Sequence, residues 1–369
     1  MSISANKGEH GELLAFLRIL HEGRVQVADK FGEPRQAWLK VSGIQRPCDP
    51  DRRYLIVDDQ VVVMNNAGVA LARATSVSIR ALADKLFLQI KQGEGPSFVC
   101  PAGDEAILLL KLEAAKAGSA AKADLLVEVI SPLFDGEVIS LGFSVKSELG
   151  GLPTLLNAGA TRFEYRIEGC SAADALAVQE AVPRNKDKDY PGPKRLFPAL
   201  ANSHARVVFE SVVDPVFEQN LKMIDTAFPR ILADALRHAY LAGDLALKDV
   251  VKAPAMLDEL SQALSLPRSM VERLVRHKVK ELLRQSALGM NPGRQWDGQI
   301  EAHGGWIIVK ESGEIVCFHL INDDDFREYL LANTKFDTPS MSRHEAGYVY
   351  RQGGGSEAKL RLSLQVRFF

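Results

Sequence analysis

ADLLVEVISPLFDGEVISLGFSVKS, residues 123–147, holds two β-forming runs around a polar turn. ADLLVEVI (123–130) reads as one strand, SPLFDGE as the turn, and VISLGFSVKS (138–147) as a second strand pairing back on the first. Side chains two apart share a face of a strand, so Ser144 and Lys146 point one way, as do Asp124, Leu126 and Glu128. If the runs pair, Asp124, Lys146 and Glu128 converge at one place.

N-terminal to this pair, GEHGELLAFLRILHE (8–22) carries Leu13, Leu14, Phe16, Leu17 and Leu20 at helical spacing. Asn6 is its expected N-cap and Gly23 its stop. Residues 24–80 alternate short β runs (RVQVAD, RYLIVD, QVVVMN) with turns at Asp58-Asp59 and Asn65-Asn66, and 80–96 and 103–117 read as helical. C-terminal to the pair, GLPTLLNAGA (151–160) reads as a short helix with Pro153 in its first turn, and TRFEYRIEG (161–169) as a third strand. RNKDKDYPGPKR (184–195) reads as a loop, 214–286 as amphipathic helices, WIIVKESGEIVCFHL as a hairpin around Ser312-Gly313, and KLRLSLQVRFF as β structure to the end. The expected division is 1–200, a core with the N-terminal helix and β insertions; 201–295, mainly helical; and 296–369, β-rich.

The chain has 369 residues, 46% hydrophobic and 25% charged, ordinary values for a globular protein. With 45 basic and 47 acidic residues the net charge is −2, so any nucleic-acid surface is local. Cys48, Cys100, Cys170 and Cys317 show no C-x-x-C spacing and read as reduced thiols rather than a disulfide or zinc framework. No H-x-H or H-E-x-x-H arrangement supports zinc catalysis, and His10 is expected on a helix surface. Gly353-Gly354-Gly355 reads as a turn, and no signal peptide or membrane span is expected.

A carboxylate and an ammonium on neighbouring strands suit phosphodiester hydrolysis. The carboxylate holds a divalent cation that neutralises phosphate charge and acidifies a bound water. The lysine orients or deprotonates that water, or stabilises the transition state electrostatically. Two solvated strand ends give the same pattern, and the spacing alone arises by chance.

Longer strings narrow the choice. GFSVKSELGGLPTLLNAGATRFEY (142–165), NKGEHGELLAFLRIL (6–20), YLL (329–331), NTKFDTPSMSRH (333–344) and LSLQVRFF (362–369) together resemble the HpaII family of type II restriction endonucleases. The resemblance implies an α/β (α+β) fold of the PD-(D/E)xK nuclease superfamily, a mixed β-sheet core flanked by helices, with Asp124 and Lys146 as catalytic residues. Ser144 stands where an acidic metal ligand is usual in the superfamily, and the family shares that serine. A hydroxyl is a poorer Mg²⁺ ligand than a carboxylate. The missing charge is therefore expected from Glu12 or Glu9 on the first helix, with Glu128 next; a solvated helix or strand face is the rival reading of each.

The activity implied is Mg²⁺-dependent cleavage of double-stranded DNA at a short palindrome, a C/G-rich site such as CCGG, by a homodimer. The setting implied is the bacterial cytoplasm, with a cognate methyltransferase in the same cell. A modification-dependent enzyme, a non-catalytic DNA-binding protein of the same fold, and a repair or transposition nuclease are the rivals. For base reading the expected segment is Thr334–His344, with Lys335, Ser342, Arg343 and His344; Arg343 suits bidentate contact to guanine, and a loop-pinning arginine is its rival reading. Ser147 and Asn157 are expected on the scissile phosphate, and Lys359, Arg361 and Arg367 on the backbone. RSMVERLVRHKVKELLR (268–284) has six Lys/Arg against two Glu, and LDELSQALSLPRSMVERL carries a helix-turn-helix rhythm. Its functional reading is a helix on DNA phosphates, and its rival an exposed basic helix face.

Overall fold

The 123–147 hairpin forms in the computed structural model, which describes residues 4–113, 123–130, 136–151, 153–184, 191–351 and 357–369. β8 (Leu125–Ile130) and β9 (Val138–Ser147) pair antiparallel with Leu125 opposite Phe143. The chain divides into two units: 1–153 with 287–289 and 300–329, and 154–286 with 290–299 and 330–369. The boundaries expected at 200/201 and 295/296 both fall inside spans of the second unit.

The first unit begins with β1 (Ser4–Ala5), α1 (Lys7–Glu22), β2 (Arg24–Ala28), β3 (Pro34–Gln45), β4 (Arg52–Val57), β5 (Gln60–Asn65) and β6 (Ala70–Thr75). There follow α2 (Ser76–Gln92), β7 (Phe98–Val99), α3 (Pro101–Leu110), β8 and β9. Its main sheet runs β2-β14-β13-β9-β8-β3-β4-β5-β6, where β13 is Gly305–Val309 and β14 is Ile315–His319. β2 also pairs with β3, so six strands close into a ring. The length of β3 makes this feasible: Pro34–Lys40 pairs with β2 and Lys40–Gln45 with β8. The expected mixed sheet is therefore present but curls shut, which removes the free edge at β2. The hairpin β13–β14, grouped in sequence with the C-terminal region, joins this ring because Gly305–Val309 pairs parallel with Phe143–Ser147.

α1 forms where expected. Asn6 caps it through a capping box with Glu9, and Gly23 ends it at φ 63. Its apolar face enters a core with Phe143, Val145, Val127, Ile307 and Val309. At Gly11 the helix lies so close to β9 that a Cβ would come 2.5 Å from Ser147 Cβ and Oγ. His10 is buried rather than on the helix surface, 3% exposed, with Nε2 3.0 Å from the Phe98 carbonyl oxygen and its ring against Phe98. Local β7 contacts, invisible to helical periodicity, decide its environment.

The second unit contains β10 (Thr154–Leu156), β11 (Arg162–Glu168), α4 (Ala172–Ala181), α5 (Pro193–Asn202), β12 (Arg206–Val212), α6 (Pro215–Ile224), α7 (Phe228–Ala242), α8 (Leu247–Val250), α9 (Pro254–Leu264) and all but the last two residues of α10 (Arg268–Leu288). After α11 (Asp323–Asn333), which crosses the unit boundary, come β15 (Thr334–Phe336), α12 (Met341–His344), β16 (Val349–Arg351), β17 (Ala358–Ser363) and β18 (Val366–Phe368). Two sheets, β12-β11-β17-β16 and β10-β18-β15, organise it.

Two expectations change here. Residues 154–156 form a strand rather than a helix, because Thr154 and Leu156 find partners on β18, more than 200 positions away. The terminal β run breaks at Leu364-Gln365, so β17 and β18 serve different sheets. The Gly353–Gly355 turn lies outside the described residues. Cys48, Cys100, Cys170 and Cys317 are free, and no described helix is long and apolar enough to cross a membrane.

Candidate active site

Asp124 is fastened to β9 from just before β8. Its N–H donates to the Phe143 carbonyl (2.8 Å), and its Oδ2 accepts from Val145 N–H (2.7 Å) and the Ser144 hydroxyl (3.2 Å). Ser144 thus helps to orient the aspartate. Lys146, two residues on and on the same face, has Nζ 5.6 Å from the centroid of the Trp306 ring. Trp306 is 1% exposed, and its indole N–H donates to the Ala287 carbonyl at 3.1 Å.

The close approach at Gly11 brings the next residue, Glu12, to this place. Its carboxyl is raised from the ordinary 4.5 to about 8, first by burial and then by the charge of Asp124; Lys146 and Arg46 oppose the rise, and Glu9 adds to it. Asp124, Lys146 and Glu12 therefore share one electrostatic environment. Arg46 is itself buried, with Nη1 2.8 Å from Asp49, whose other oxygen accepts from Glu113 N–H at 2.8 Å.

The other acidic candidates have different surroundings. Glu9 accepts from the Asn6 N–H at 2.9 Å, completing the cap of α1. Glu128 is gripped by Arg53 through two hydrogen bonds, one of 2.7 Å. A further acid, Glu148, two residues beyond Lys146, sits near Lys310, Glu311 and Glu33. Among the described residues no group of three or more His, Cys, Asp or Glu side chains is placed to hold a metal ion, so the converging pair is Asp124 with Glu12.

Of the expected DNA contacts, Ser147 is buried under Gly11, and its Oγ accepts from Leu149 N–H at 3.3 Å. Asn157 is exposed after β10, in the second unit. Lys335 Nζ lies 5.5 Å from the Phe369 ring centroid, Ser342 and Arg343 are exposed on α12, and the His344 imidazole is held below its ordinary range by burial and by Arg343 and Arg162. Ser340 caps α12, accepting from Arg343 N–H at 3.4 Å. Lys359 and Arg361 are tied to Glu164, Lys359 also to Glu210, and Arg367 to Asp337, so this basic series is neutralised by ion pairs. Sequence reasoning missed Gly11, Arg46, Asp49 and Trp306. Only Arg46 and Asp49, an opposite-charge pair three apart around Pro47, carried a local signal.

Two carboxylates and an ammonium acting on one another where a helix meets a sheet can hold a divalent cation and offset negative charge. The family model of the HpaII restriction endonuclease matches residues 6–368. The type II restriction enzyme HpaII of Haemophilus parainfluenzae is 30% identical over 374 residues, covering 99% of this chain and 98% of that protein. No solved structure matches. The chain belongs to the HpaII restriction endonuclease family and is a type II site-specific deoxyribonuclease acting on double-stranded DNA.

Proposed function

We propose that the protein hydrolyses both strands of a short C/G-rich palindrome such as CCGG in a Mg²⁺-dependent reaction, using Asp124, Glu12 and Lys146 on a PD-(D/E)xK-type core in the first unit. The observation carrying this reading is Glu12: a carboxyl raised to about 8 by burial and by Asp124 is one that a divalent cation would relieve. Mg²⁺ is commonly held by one or two carboxylates with waters completing its shell, so Asp124 and Glu12 fit it. When bound, the ion supplies charge neutralisation at the phosphate and an acidified water.

The protein's own groups do the rest. Ser144 and Val145 N–H hold the Asp124 carboxylate in one orientation. Lys146, whose charge acts on Glu12 and whose Nζ lies 5.6 Å from the Trp306 ring centroid, orients the attacking water and stabilises negative charge growing on the phosphate oxygens. Gly11 lets α1 approach closely enough for Glu12 to take part. In the second unit, Arg343 is exposed and has no ion pair among the described residues, which leaves its guanidinium for guanine O6 and N7. Lys335, Ser342, His344 and Asn157 supply further donors to DNA, and Ser147 supports α1. Symmetric cutting needs two such sites related by a two-fold axis, hence a homodimer on DNA, acting in the bacterial cytoplasm beside a protecting methyltransferase.

The test is plasmid cleavage with and without Mg²⁺ by wild type and Lys146→Ala. The expected result is defined ends from wild type only with Mg²⁺, and a loss of at least about 100-fold in the variant, the scale for removing one electrostatic donor. Undiminished cutting by Lys146→Ala refutes the assignment.

A further inference from the structure

The basic helix singled out in the sequence is not used by the site above, and its geometry is specific. α9 ends at Ser265, a non-glycine residue in the left-handed region (φ 54, ψ 42), whose N–H donates to Gln262 and Ser261 carbonyls. The next residue, Leu266, returns its N–H to Ser261 O at 3.1 Å, and Ser261 Oγ donates to Leu266 O at 2.6 Å. Pro267 then opens α10, accepting from the N–H groups of Met270 (2.9 Å) and Val271 (3.0 Å). Two helices are thus joined by a locked three-residue turn.

The inner faces of both helices are buried: Met256, Leu257 and Leu260 on α9, and Val271, Val275 and Val279 on α10, each at most 1% exposed. α7 braces α9, with Arg237 and His238 both meeting Glu259, and Lys278 ties α10 to Asp225 at 3.2 Å. A spacing of four for the buried valines leaves the opposite stripe to Ser269, Met270, Arg273, His277 and Lys280, with Arg276 and the exposed Glu272 to one side and Glu281 continuing the stripe beyond Lys280. Met270 is 47% exposed although it is apolar, and Arg273 is exposed with no ion pair among the described residues.

We propose that α9, the Ser265–Pro267 turn and α10 form a helix-turn-helix that sets the N-terminal half of α10 into the major groove of duplex DNA, with Met270 and Arg273 at base edges. The turn length, the buried inner stripe and a cationic outer stripe beginning at the second helix's N-terminal end are what such a motif requires. Arg273 offers a planar fork for guanine, and Met270 an apolar contact for a thymine methyl. Arg276, to one side of the stripe, and Lys280, further along it, lie toward phosphates. This deepens the reading of the chain as an enzyme acting on double-stranded DNA by assigning a second base-reading element beside the Arg343 segment.

The full-length protein, with a photoreactive benzoylphenylalanine replacing Met270, is irradiated with a labelled duplex in the absence of divalent cations, so that nothing is cut. A duplex crosslink that unlabelled duplex competes away is expected. Arg273→Ala should raise Kd for the duplex about tenfold or more with an unchanged thermal midpoint, and Arg273→Lys should not restore it, because a point charge cannot replace a bidentate fork. No crosslink together with wild-type affinity in Arg273→Ala overturns the proposal, as does crosslinking to protein alone. Cutting that survives Lys146→Ala would refute the catalytic assignment while leaving these binding results to stand separately.

Discussion

Replacing Glu12 by glutamine should flatten the pH dependence of stability in the metal-free protein. The Glu12 carboxyl stands at about 8 in the folded chain against an ordinary 4.5, so the folded state holds this proton more tightly than the unfolded one. Its stabilising contribution is complete below pH 4.5 and is lost as pH rises towards about 8. At about 1.4 kcal/mol per pH unit the full loss is roughly 5 kcal/mol, and about half of that where Asp124 shares the proton. Urea unfolding in EDTA at pH 5, 7 and 9 measures this directly. Wild type should lose roughly 2–5 kcal/mol more than Glu12→Gln between the first and last pH. Mg²⁺ added at pH 9 should restore stability to wild type and not to the variant, since only the ionised pair attracts the cation. Parallel pH–stability curves for the two proteins would refute the reasoning, because they would mean that Glu12 is neither buried with Asp124 nor strained by it.

Two further outcomes follow from the packing around this carboxyl. Gly11→Ala places a methyl group 2.5 Å from Ser147, so α1 must shift off β9; a loss of about 1–3 kcal/mol in unfolding free energy is expected, with a larger fall in cleavage rate than in DNA affinity, read by thermal denaturation and single-turnover cutting. Glu128→Gln breaks the carboxylate grip of Arg53 without touching Asp124 or Lys146, so it should cost about 1 kcal/mol of stability and leave the cleavage rate within a few-fold of wild type; a hundredfold loss would return Glu128 to the reacting centre.

The parts of this fold legible in the sequence are those set by near neighbours. Asn6 and Gly23 bracket α1 through local capping, and the alternation around Asp124 and Lys146 placed them on one face of a hairpin. The same capping chemistry separates the two N-terminal acids: Glu9, three residues after Asn6, is engaged by the cap, whereas the Glu12 carboxyl feels the charge of Asp124. What could not be read depends on distant partners. Closure of the ring needs β2 beside both β3 and β14, and residues 154–156 are extended only because the end of the chain supplies β18. Gly11 looks like a helix-weakening residue until Ser147 is seen beneath it. Glu128 shares the face of Asp124, yet Arg53 from another strand captures it.

The indole beside Lys146 gives the enzyme a built-in optical probe. The chain has three tryptophans, and Trp306 is fully enclosed with an ammonium 5.6 Å from its ring centre, whereas Trp38 is 46% exposed. A fixed cation near an excited indole shifts its emission, so displacement of Lys146 towards an arriving phosphate would register as a colour change. With Trp38 and Trp296 changed to phenylalanine, a single emitter would follow substrate arrival in real time, before any strand is cut.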